Sequence, residues 1–166
     1  PTLFDAARRL REREQGGGTN GRPADAGSAS ERVSTSDGTV TVTSRRIPVR
    51  VYLPSERSPG ATTSAALPII VFAHGGGWVL GTLDTYDASC RALCEKTPAV
   101  VVSVDYRRAP EHKFPSAHED VFAAMQWAAQ KGAELGGDPH RVAIAGESAG
   151  ANMAAAVCLM ARERGA

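Results

Sequence analysis

The chain has 166 residues, of which 42% are hydrophobic and 22% are charged, and its net charge at pH 7 is +1. This composition excludes a wholly disordered chain, a collagen and a small disulfide-stabilised protein, and the low net charge gives no support for nucleic acid as a partner. Three cysteines cannot all pair with one another and no secretory signal is apparent, so a reduced, cytoplasmic setting is predicted. The longest strongly apolar stretch, Leu67 to Ala73, is too short to cross a bilayer, so no integral membrane segment is expected.

The beginning of the chain divides into a helix and a linker. Residues 3 to 14 carry apolar side chains at helical spacing among arginines and stop at three glycines, which predicts an amphipathic helix. Residues 15 to 37 are rich in small and polar side chains, a composition typical of a mobile linker. We therefore predict that residues 1–37 form an N-terminal unit and that a domain over residues 38–166 follows.

The rest of the chain is predicted to contain two paired strands followed by strands and helices in alternation. β-Branched alternation predicts an antiparallel pair over residues 39–43 and 47–53. The apolar strands that follow alternate with helical stretches, in the order 67–73, helix 84–96, 99–105, helix 117–131, 141–145 and helix 148–162. Strands that are apolar on both faces and alternate with helices are typical of a parallel sheet with helices on both faces. The predicted fold class is therefore α/β.

A Gly-x-Ser-x-Gly motif lies between the last predicted strand and the last predicted helix. In this context it is typical of a nucleophile elbow, a sharp turn that projects the hydroxyl of Ser148. Gly146 and Gly150 would let the strand and the helix approach closely. The alternative is an ordinary helix start at which Ser148 serves only as the cap.

A second motif, His74-Gly75-Gly76-Gly77-Trp78, follows the predicted strand 67–73. Consecutive glycines after a buried strand expose backbone N–H groups, which suit the oxyanion formed when a carbonyl is attacked. A flexible turn and a phosphate-binding loop are the alternatives. The absence of a Gly-Lys-Ser/Thr ending argues against the phosphate-binding loop.

With these motifs the chain resembles the α/β-hydrolases of the hormone-sensitive-lipase-like esterase and lipase family. A third stretch, residues 105–111, is similar to a family motif that has Leu in place of Arg108, and many members have Asp in place of Glu147. The similarity covers residues 40–165. It implies an α/β-hydrolase fold with a mostly parallel sheet, and a domain over residues 38–166 that lacks its C-terminal strands.

The resemblance implies that Ser148 is the acylating nucleophile of a carboxylic ester hydrolase that acts on small-molecule esters. The backbone N–H groups of Gly75, Gly76 and Ala149 would form the oxyanion hole. No cofactor and no metal is implied. Six further residues support the motifs around these four, namely His74, Gly77, Trp78, Gly146, Glu147 and Gly150.

Two other features acquire expected roles from the resemblance. His74 is expected to brace the glycine loop rather than to act as a base, and Trp78 is expected to pack beside the acyl or alcohol pocket. Family members also use an N-terminal helical segment as a cap over the site. The helix predicted over residues 3–14 is therefore a candidate cap, beside the plainer interpretation of a surface helix.

The acid and the base of a catalytic triad are missing from their expected place. In this fold the chain order is Ser, then Asp or Glu, then His, yet residues 149–166 contain no Asp and no His. Glu163 lies about 22 Å along the helix that begins at Ser148, if the helix is regular. Asp105 ends a buried strand, but its motif is structural in the family and precedes the serine. The remaining histidines are expected at solvated positions or at the opposite end of the sheet: His112, His118 and His140.

We therefore hypothesise that the chain is the N-terminal half of a larger hydrolase and is inactive alone. A complementary C-terminal half would supply the acid and the base and would cover the strand at residues 142–145, which is otherwise an exposed apolar edge. The alternative function is a non-catalytic ligand-binding module on a degenerate hydrolase fold.

The cysteines are expected to be packing residues. Cys90 and Cys94 lie four residues apart on one predicted helix, but no third or fourth ligand at a suitable spacing supports a metal site. We predict that both are buried as small hydrophobic residues and that Cys158 packs within the last helix in the same way.

Overall fold

The structure, a computed structural model, describes residues 32–42, 45–55 and 66–166. The helix predicted over residues 3–14 and most of the predicted linker lie outside the described residues. The elements in chain order are β1 (Val33–Val42), β2 (Arg45–Pro54), β3 (Leu67–Ala73), α1 (Asp87–Lys96), β4 (Val100–Val104), α2 (Ser116–Lys131), a 3-10 helix (Gly132–Leu135), β5 (Gly137–Gly146) and α3 (Ala149–Arg164).

The described strands form one mixed sheet in the order β1-β2-β4-β3-β5. β1 is antiparallel to β2, and β2 is antiparallel to β4. β3 lies parallel to both β4 and β5. Parallel pairing is confined to the strands that helices connect, because only a crossover returns the chain to run in the same direction. The predicted α/β class and the antiparallel pair at its start are confirmed, and the described sheet is mixed.

Helices cover both faces of the sheet, which explains why its central strands are apolar throughout. All five residues of β4 are buried. Val100 and Val102 belong to the core cluster that includes α2 and α3, whereas Val101 belongs to a smaller cluster with Cys90 and Cys94 of α1. Successive side chains of a strand point to opposite faces, so a strand between two helical layers needs an apolar residue at every position.

The first strand begins before the predicted domain boundary at residue 38. Val33 is buried in the cluster beneath α1, and β1 pairs with β2 along its whole length, from Val33 opposite Pro54 onward. The residues between Val33 and Gly38 are polar and exposed, so the sequence pattern resembles a linker although the backbone is a strand. An ion pair fixes this part, with the Nε atom of Arg50 lying 2.6 Å from Oδ1 of Asp37. The rest of the predicted N-terminal unit stays a prediction.

Helix α1 begins at Asp87, three residues later than predicted, because a turn precedes it. The backbone N–H of Thr82 donates to Oγ1 of Thr85 at 2.8 Å, and the N–H of Thr85 donates to Oγ1 of Thr82 at 3.1 Å. These reciprocal bonds satisfy the backbone outside the helix. The turn leads directly to Tyr86, whose side chain reaches the candidate site.

The prediction for the cysteines is confirmed for two of the three. Cys90 and Cys94 are buried, and burial raises the pKa of each thiol to about 11, so both stay protonated at neutral pH. The prediction for Cys158 is wrong, because this side chain is exposed. Helix α3 buries Met153 and Val157, and the next residue projects about 100° further around the helix axis, away from the core.

Strand β5 lies at the edge of the described sheet, where it pairs with β3 alone. Ala143 is exposed and Ile144 is half-buried. This agrees with the predicted exposed apolar edge. Among the described residues, no helix combines the length and the apolarity needed to cross a membrane.

Candidate active site

The register of two parallel strands places the two sequence motifs side by side. Ala73 at the end of β3 is opposite Gly146 at the end of β5. The next residues along the chain are His74 and Glu147, so the glycine loop and the Ser148 turn leave the same edge of the sheet. In open α/β sheets, ligands bind at the carboxyl ends of the strands.

Ser148 lies in a strained turn between β5 and α3. Its φ is 52° and its ψ is −115°, a conformation that L-residues rarely adopt. The side chain is exposed and makes no capping hydrogen bond to the helix, so the alternative that Ser148 is only a helix cap is wrong. Such strain costs about 1–3 kcal/mol and persists at functional sites.

The two glycines of the motif permit direct contact between α3 and the end of β3. A Cβ atom at Gly150 would overlap the carbonyl of Ala73 and would lie 2.8 Å from the carbonyl oxygen of His74. A Cβ atom at Gly146 would lie 2.7 Å from the carbonyl oxygen of Ala73. Real Cβ contacts are not this short, so any side chain at either position would separate the elbow from the glycine loop.

The glycine loop turns through three consecutive residues with positive φ. The values are 113° at Gly76, 60° at Gly77 and 60° at Trp78. The N–H groups of Val79 and Leu80 both donate to the carbonyl oxygen of Gly76, at 3.0 and 2.8 Å. These bonds close the loop, in which Gly75 is buried, Gly76 is half-buried and Gly77 is exposed.

His74 is fully buried beneath this loop. Its Nδ1 atom lies 2.8 Å from the carbonyl oxygen of Gly75. Because a carbonyl only accepts, Nδ1 carries the proton in this bond. The ring of Tyr106 stacks on the imidazole at a centroid distance of 4.2 Å, and its hydroxyl donates to the carbonyl oxygen of His74 at 2.8 Å. This burial is compatible with the expected bracing role and not with contact to a substrate.

Arg108, which stands where the family motif has Leu, holds the far end of the glycine loop. Its guanidinium donates to the carbonyl oxygen of Gly81 and lies 3.2 Å from Oδ1 of Asp105. Burial raises the pKa of Asp105, and Arg108 opposes that shift. The N–H of Ala109 donates to the carbonyl oxygen of Trp78 at 2.9 Å, so this segment holds the loop at two points.

Tyr86 connects the glycine loop with the elbow, and the sequence analysis did not single it out. Its hydroxyl donates to Oε2 of Glu147, and its oxygen accepts a hydrogen bond from the backbone N–H of Gly75. Burial, followed by the neighbouring Glu147, raises the pKa of the phenol. The amide of Gly75 thus has a partner within the protein. Its place in the oxyanion hole stays a prediction, in competition with Tyr86.

A pocket of about 390 Å³ opens beside the glycine loop. Two aromatic side chains that line it are accessible to solvent, since Trp78 is 36% exposed and Phe114 is 82% exposed. Its lining residues are Gly77, Trp78, Ala109, His112, Phe114, Ala117, His118 and Asn152. This mostly apolar lining could hold the hydrocarbon part of a small ligand.

The three histidines outside the motifs have different surroundings. His118 is buried, with its ring edge-on to Phe114 at 5.1 Å, so the expectation of a solvated position is wrong. It follows buried Ala117 on the inner face of α2, where the ring of Phe114 lies against it. His112 is exposed, as expected. His140 lies near the start of β5, at the opposite end of that strand from Ser148.

The described residues place an exposed serine hydroxyl beside the glycine loop, but they give that hydroxyl no partner that could activate it. No hydrogen bond recorded among them involves the Ser148 hydroxyl. A serine hydroxyl needs an adjacent base to become an effective nucleophile. The arrangement is compatible with one part of a site for acyl transfer.

Comparisons with known proteins agree with this geometry. A family profile described as alpha/beta hydrolase fold matches residues 70–166. The chain is similar to the carboxylesterase NlhH of Mycobacterium tuberculosis, with 50% identity over 119 residues that make up 72% of this chain and 35% of NlhH. It is also similar to an arylesterase of Saccharolobus solfataricus, with 40% identity over 129 residues that make up 78% of this chain and 40% of that protein.

Solved structures give the same result at the level of the fold. An esterase of Pyrobaculum calidifontis superposes with a TM-score of 0.79 at 41% identity, over 96% of this chain and 48% of that one. The carboxylesterase EstE1 from a metagenomic library superposes with a TM-score of 0.76 at 39% identity, over 99% of this chain and 51% of that one. The chain thus spans between a third and a half of the length of these proteins.

Proposed function

Because the chain belongs to the α/β-hydrolase fold family and its relatives are carboxylesterases of the hormone-sensitive-lipase-like group, we propose that it carries the nucleophilic half of a carboxylic ester hydrolase. The observation that carries this proposal is the backbone of Ser148, strained at the end of β5 beside a glycine loop. Neither an ordinary helix start nor a flexible turn requires both features. The substrate class would be small-molecule carboxylic esters, with their apolar part in the pocket lined by Trp78 and Phe114.

In the proposed reaction, Oγ of Ser148 attacks the ester carbonyl carbon and gives its proton to a base. The carbonyl electron pair moves to oxygen, and the resulting oxyanion accepts hydrogen bonds from backbone N–H groups at Gly76 and Ala149. Gly75 is the third predicted donor and would have to exchange its bond to Tyr86 for one to the oxyanion. When the oxyanion collapses, the bond to the alkoxy oxygen breaks, and the base returns its proton to that oxygen so that the alcohol leaves. The remaining acyl-serine is then hydrolysed by water, which gives a proton to the same base and releases the acid and Ser148.

The base and its acid partner are proposed to lie in a complementary C-terminal half. Two findings support this: the chain spans about half of the solved esterase structures, and the described residues give Ser148 no activating partner. The exposed edge of β5 is the natural place for the next strand to pair.

Hydrolysis of a short-chain nitrophenyl ester tests the proposal. Residues 1–166 alone should show negligible turnover, because an oxyanion hole and binding without a base accelerate such reactions only about a thousandfold over water. The same residues joined to a segment that supplies an acid and a histidine should show turnover that Ser148→Ala abolishes. Turnover that survives Ser148→Ala would refute the assignment of the nucleophile.

The second candidate function is a non-catalytic ligand-binding module. The observation that favours it is a formed apolar pocket beside a serine whose hydroxyl has no partner among the described residues. Calorimetric titration with an unreactive amide analogue of the ester separates the two. A module should bind the analogue tightly in the 166-residue chain, and the joined protein should still show no turnover.

A further inference from the structure

We propose that Tyr86 is a positioning residue that fixes the glycine loop and the nucleophile turn relative to each other. It would do so through one hydroxyl, which accepts from the N–H of Gly75 and donates to the carboxylate of Glu147. The proposal rests on the proposed function of Ser148, since its purpose is to align that serine with the oxyanion donors.

Tyr86 is also held in place by interactions that do not involve its hydroxyl. Its ring packs against the rings of His74 and Phe72, at centroid distances of 5.6 and 6.0 Å. The next residue, Asp87, accepts a hydrogen bond from the Tyr52 hydroxyl at 3.1 Å and one from Nε of Arg91 at 2.7 Å. Tyr86 therefore enters the site from a firmly attached helix, so it can serve as a fixed reference for two loops.

The Tyr86 hydroxyl and the Glu147 carboxylate converge on the backbone of Gly75. A Cβ atom built there would lie 2.7 Å from the hydroxyl oxygen of Tyr86 and 2.9 Å from Oε2 of Glu147. Both distances are shorter than real Cβ contacts, so the hydroxyl and the carboxylate occupy the space that a side chain would need. The glycine at this position makes the link between the three groups possible.

The protonation state of the phenol suits a linking role. Burial and the adjacent Glu147 raise the pKa of Tyr86, so its hydroxyl keeps its proton at neutral pH and can donate while its oxygen accepts. Glu147 immediately precedes Ser148, and its carbonyl oxygen accepts the N–H of Gly150 at 2.8 Å. A restraint on the Glu147 side chain thus acts on the turn that presents the nucleophile.

Hydrogen exchange measured by mass spectrometry tests this link without requiring catalysis. Tyr86→Phe should accelerate exchange in the segments 74–81 and 146–150 by about tenfold, as expected for the loss of a hydrogen bond to a charged group. Segments from β3 and β4 should be unaffected. Thr97→Val is the control, because it removes a hydroxyl that donates to the carbonyl oxygen of Leu93 at the other end of α1 and contacts neither loop.

A double-mutant cycle identifies the partner. Glu147→Ala should accelerate exchange as Tyr86→Phe does, and the double variant should exceed neither single variant, because both remove the same bond. Glu147→Gln, which keeps an oxygen acceptor, should restore part of the protection. Additive effects of the two substitutions would overturn the proposal. A Tyr86→Phe result equal to that of Thr97→Val would also overturn it, and so would acceleration spread evenly over the whole chain.

Labelling of Ser148 by an alkyl fluorophosphonate, measured in residues 1–166 joined to a segment that supplies an acid and a histidine, connects the link with the proposed function. Tyr86→Phe should lower the maximum rate of covalent labelling at least tenfold and leave the concentration for half-maximal rate unchanged, since positioning alters reaction rather than binding. If the joined protein that retains Tyr86 is not labelled at all, the proposed function of Ser148 fails, whereas the exchange experiment still decides whether Tyr86 links the loops.

Discussion

At the scale of single residues, the backbone conformation of Ser148 predicts that a glycine at this position makes the protein more stable than an alanine does. Its φ of 52° and ψ of −115° disfavour every residue with a Cβ atom. We expect Ser148→Gly to exceed Ser148→Ala in free energy of unfolding by about 1 kcal/mol, because glycine relieves the strain although it also loosens the unfolded chain. Urea denaturation of the two variants measures the difference, and an alanine variant as stable as the glycine variant would contradict it.

The same scale shows where sequence reasoning reaches its limit. A glycine-flanked serine between a strand and a helix predicts the elbow, because the motif itself encodes the backbone geometry. Tyr86 and His118 carry no such signal. The position of Tyr86 depends on the turn before α1, and the burial of His118 depends on an aromatic wall that includes Phe114. Contacts between residues distant in sequence, such as that between Tyr86 and Glu147, follow only from the assembled sheet.

At the scale of elements, the close contact between α3 and the end of β3 predicts that one methyl group added at Gly150 strongly lowers the stability of the fold. Gly150→Ala places a Cβ atom against the carbonyls of Ala73 and His74, so we expect a loss of about 3 kcal/mol in the free energy of unfolding. Gly136→Ala is the control, since its φ of 75° is strained but no atom lies within 4 Å of the added carbon, and it should cost about 1 kcal/mol. Equal losses in chemical denaturation would show that α3 can shift away from β3.

The segment after β4 predicts a dependence of stability on pH. Burial raises the folded-state pKa of Asp105 above its ordinary value of 3.8, so the fold binds this proton more tightly than the unfolded chain does. The carboxylate therefore lowers stability as pH rises from about 3.8 through the raised value. We expect Asp105→Asn to be more stable than the parent at pH 7 and nearly equal to it near pH 3.

Urea denaturation of the parent and the Asp105→Asn variant between pH 3 and pH 7 measures this effect. The difference in unfolding free energy should grow as pH rises from about 3.8 through the raised pKa of Asp105 and should then level off. A variant less stable than the parent at pH 7 would show that the pairing of Arg108 with the carboxylate outweighs the cost of burial.

The elements themselves were largely predictable, and the exceptions have physical causes. The apolar strand at Leu67–Ala73 was predicted at its observed bounds, because both of its faces must be apolar to lie between helices. Strand β1 began earlier than predicted, since its first residues are polar and are held by backbone pairing and the ion pair between Asp37 and Arg50. Periodicity detects burial, and it gives no signal where a strand is stabilised by other means.

At the scale of the whole molecule, the sheet has two unlike edges. β1 closes one edge with a run of exposed polar residues, which discourages pairing with another chain. β5 closes the other with Ala143 exposed and Ile144 half-buried, and Leu159 of the adjacent α3 is 52% exposed. The sheet formed by the described residues thus has one polar edge, at β1, and one apolar edge, at β5. An apolar edge at β5 is expected of the nucleophilic half of the proposed hydrolase.

The exposed apolar edge at β5 predicts that copies of residues 1–166 associate with one another in solution. Sedimentation velocity should show the average mass rising with protein concentration, because unpaired N–H and C=O groups on an apolar strand favour pairing between chains. Ala143→Lys places a charge on that edge and should reduce association about tenfold or more. Thr41→Lys, an equally exposed position on β1, is the matched control and should leave association unchanged. Equal effects of the two lysines would attribute association to net charge, and a monomer at every concentration would show that the edge of β5 is already protected.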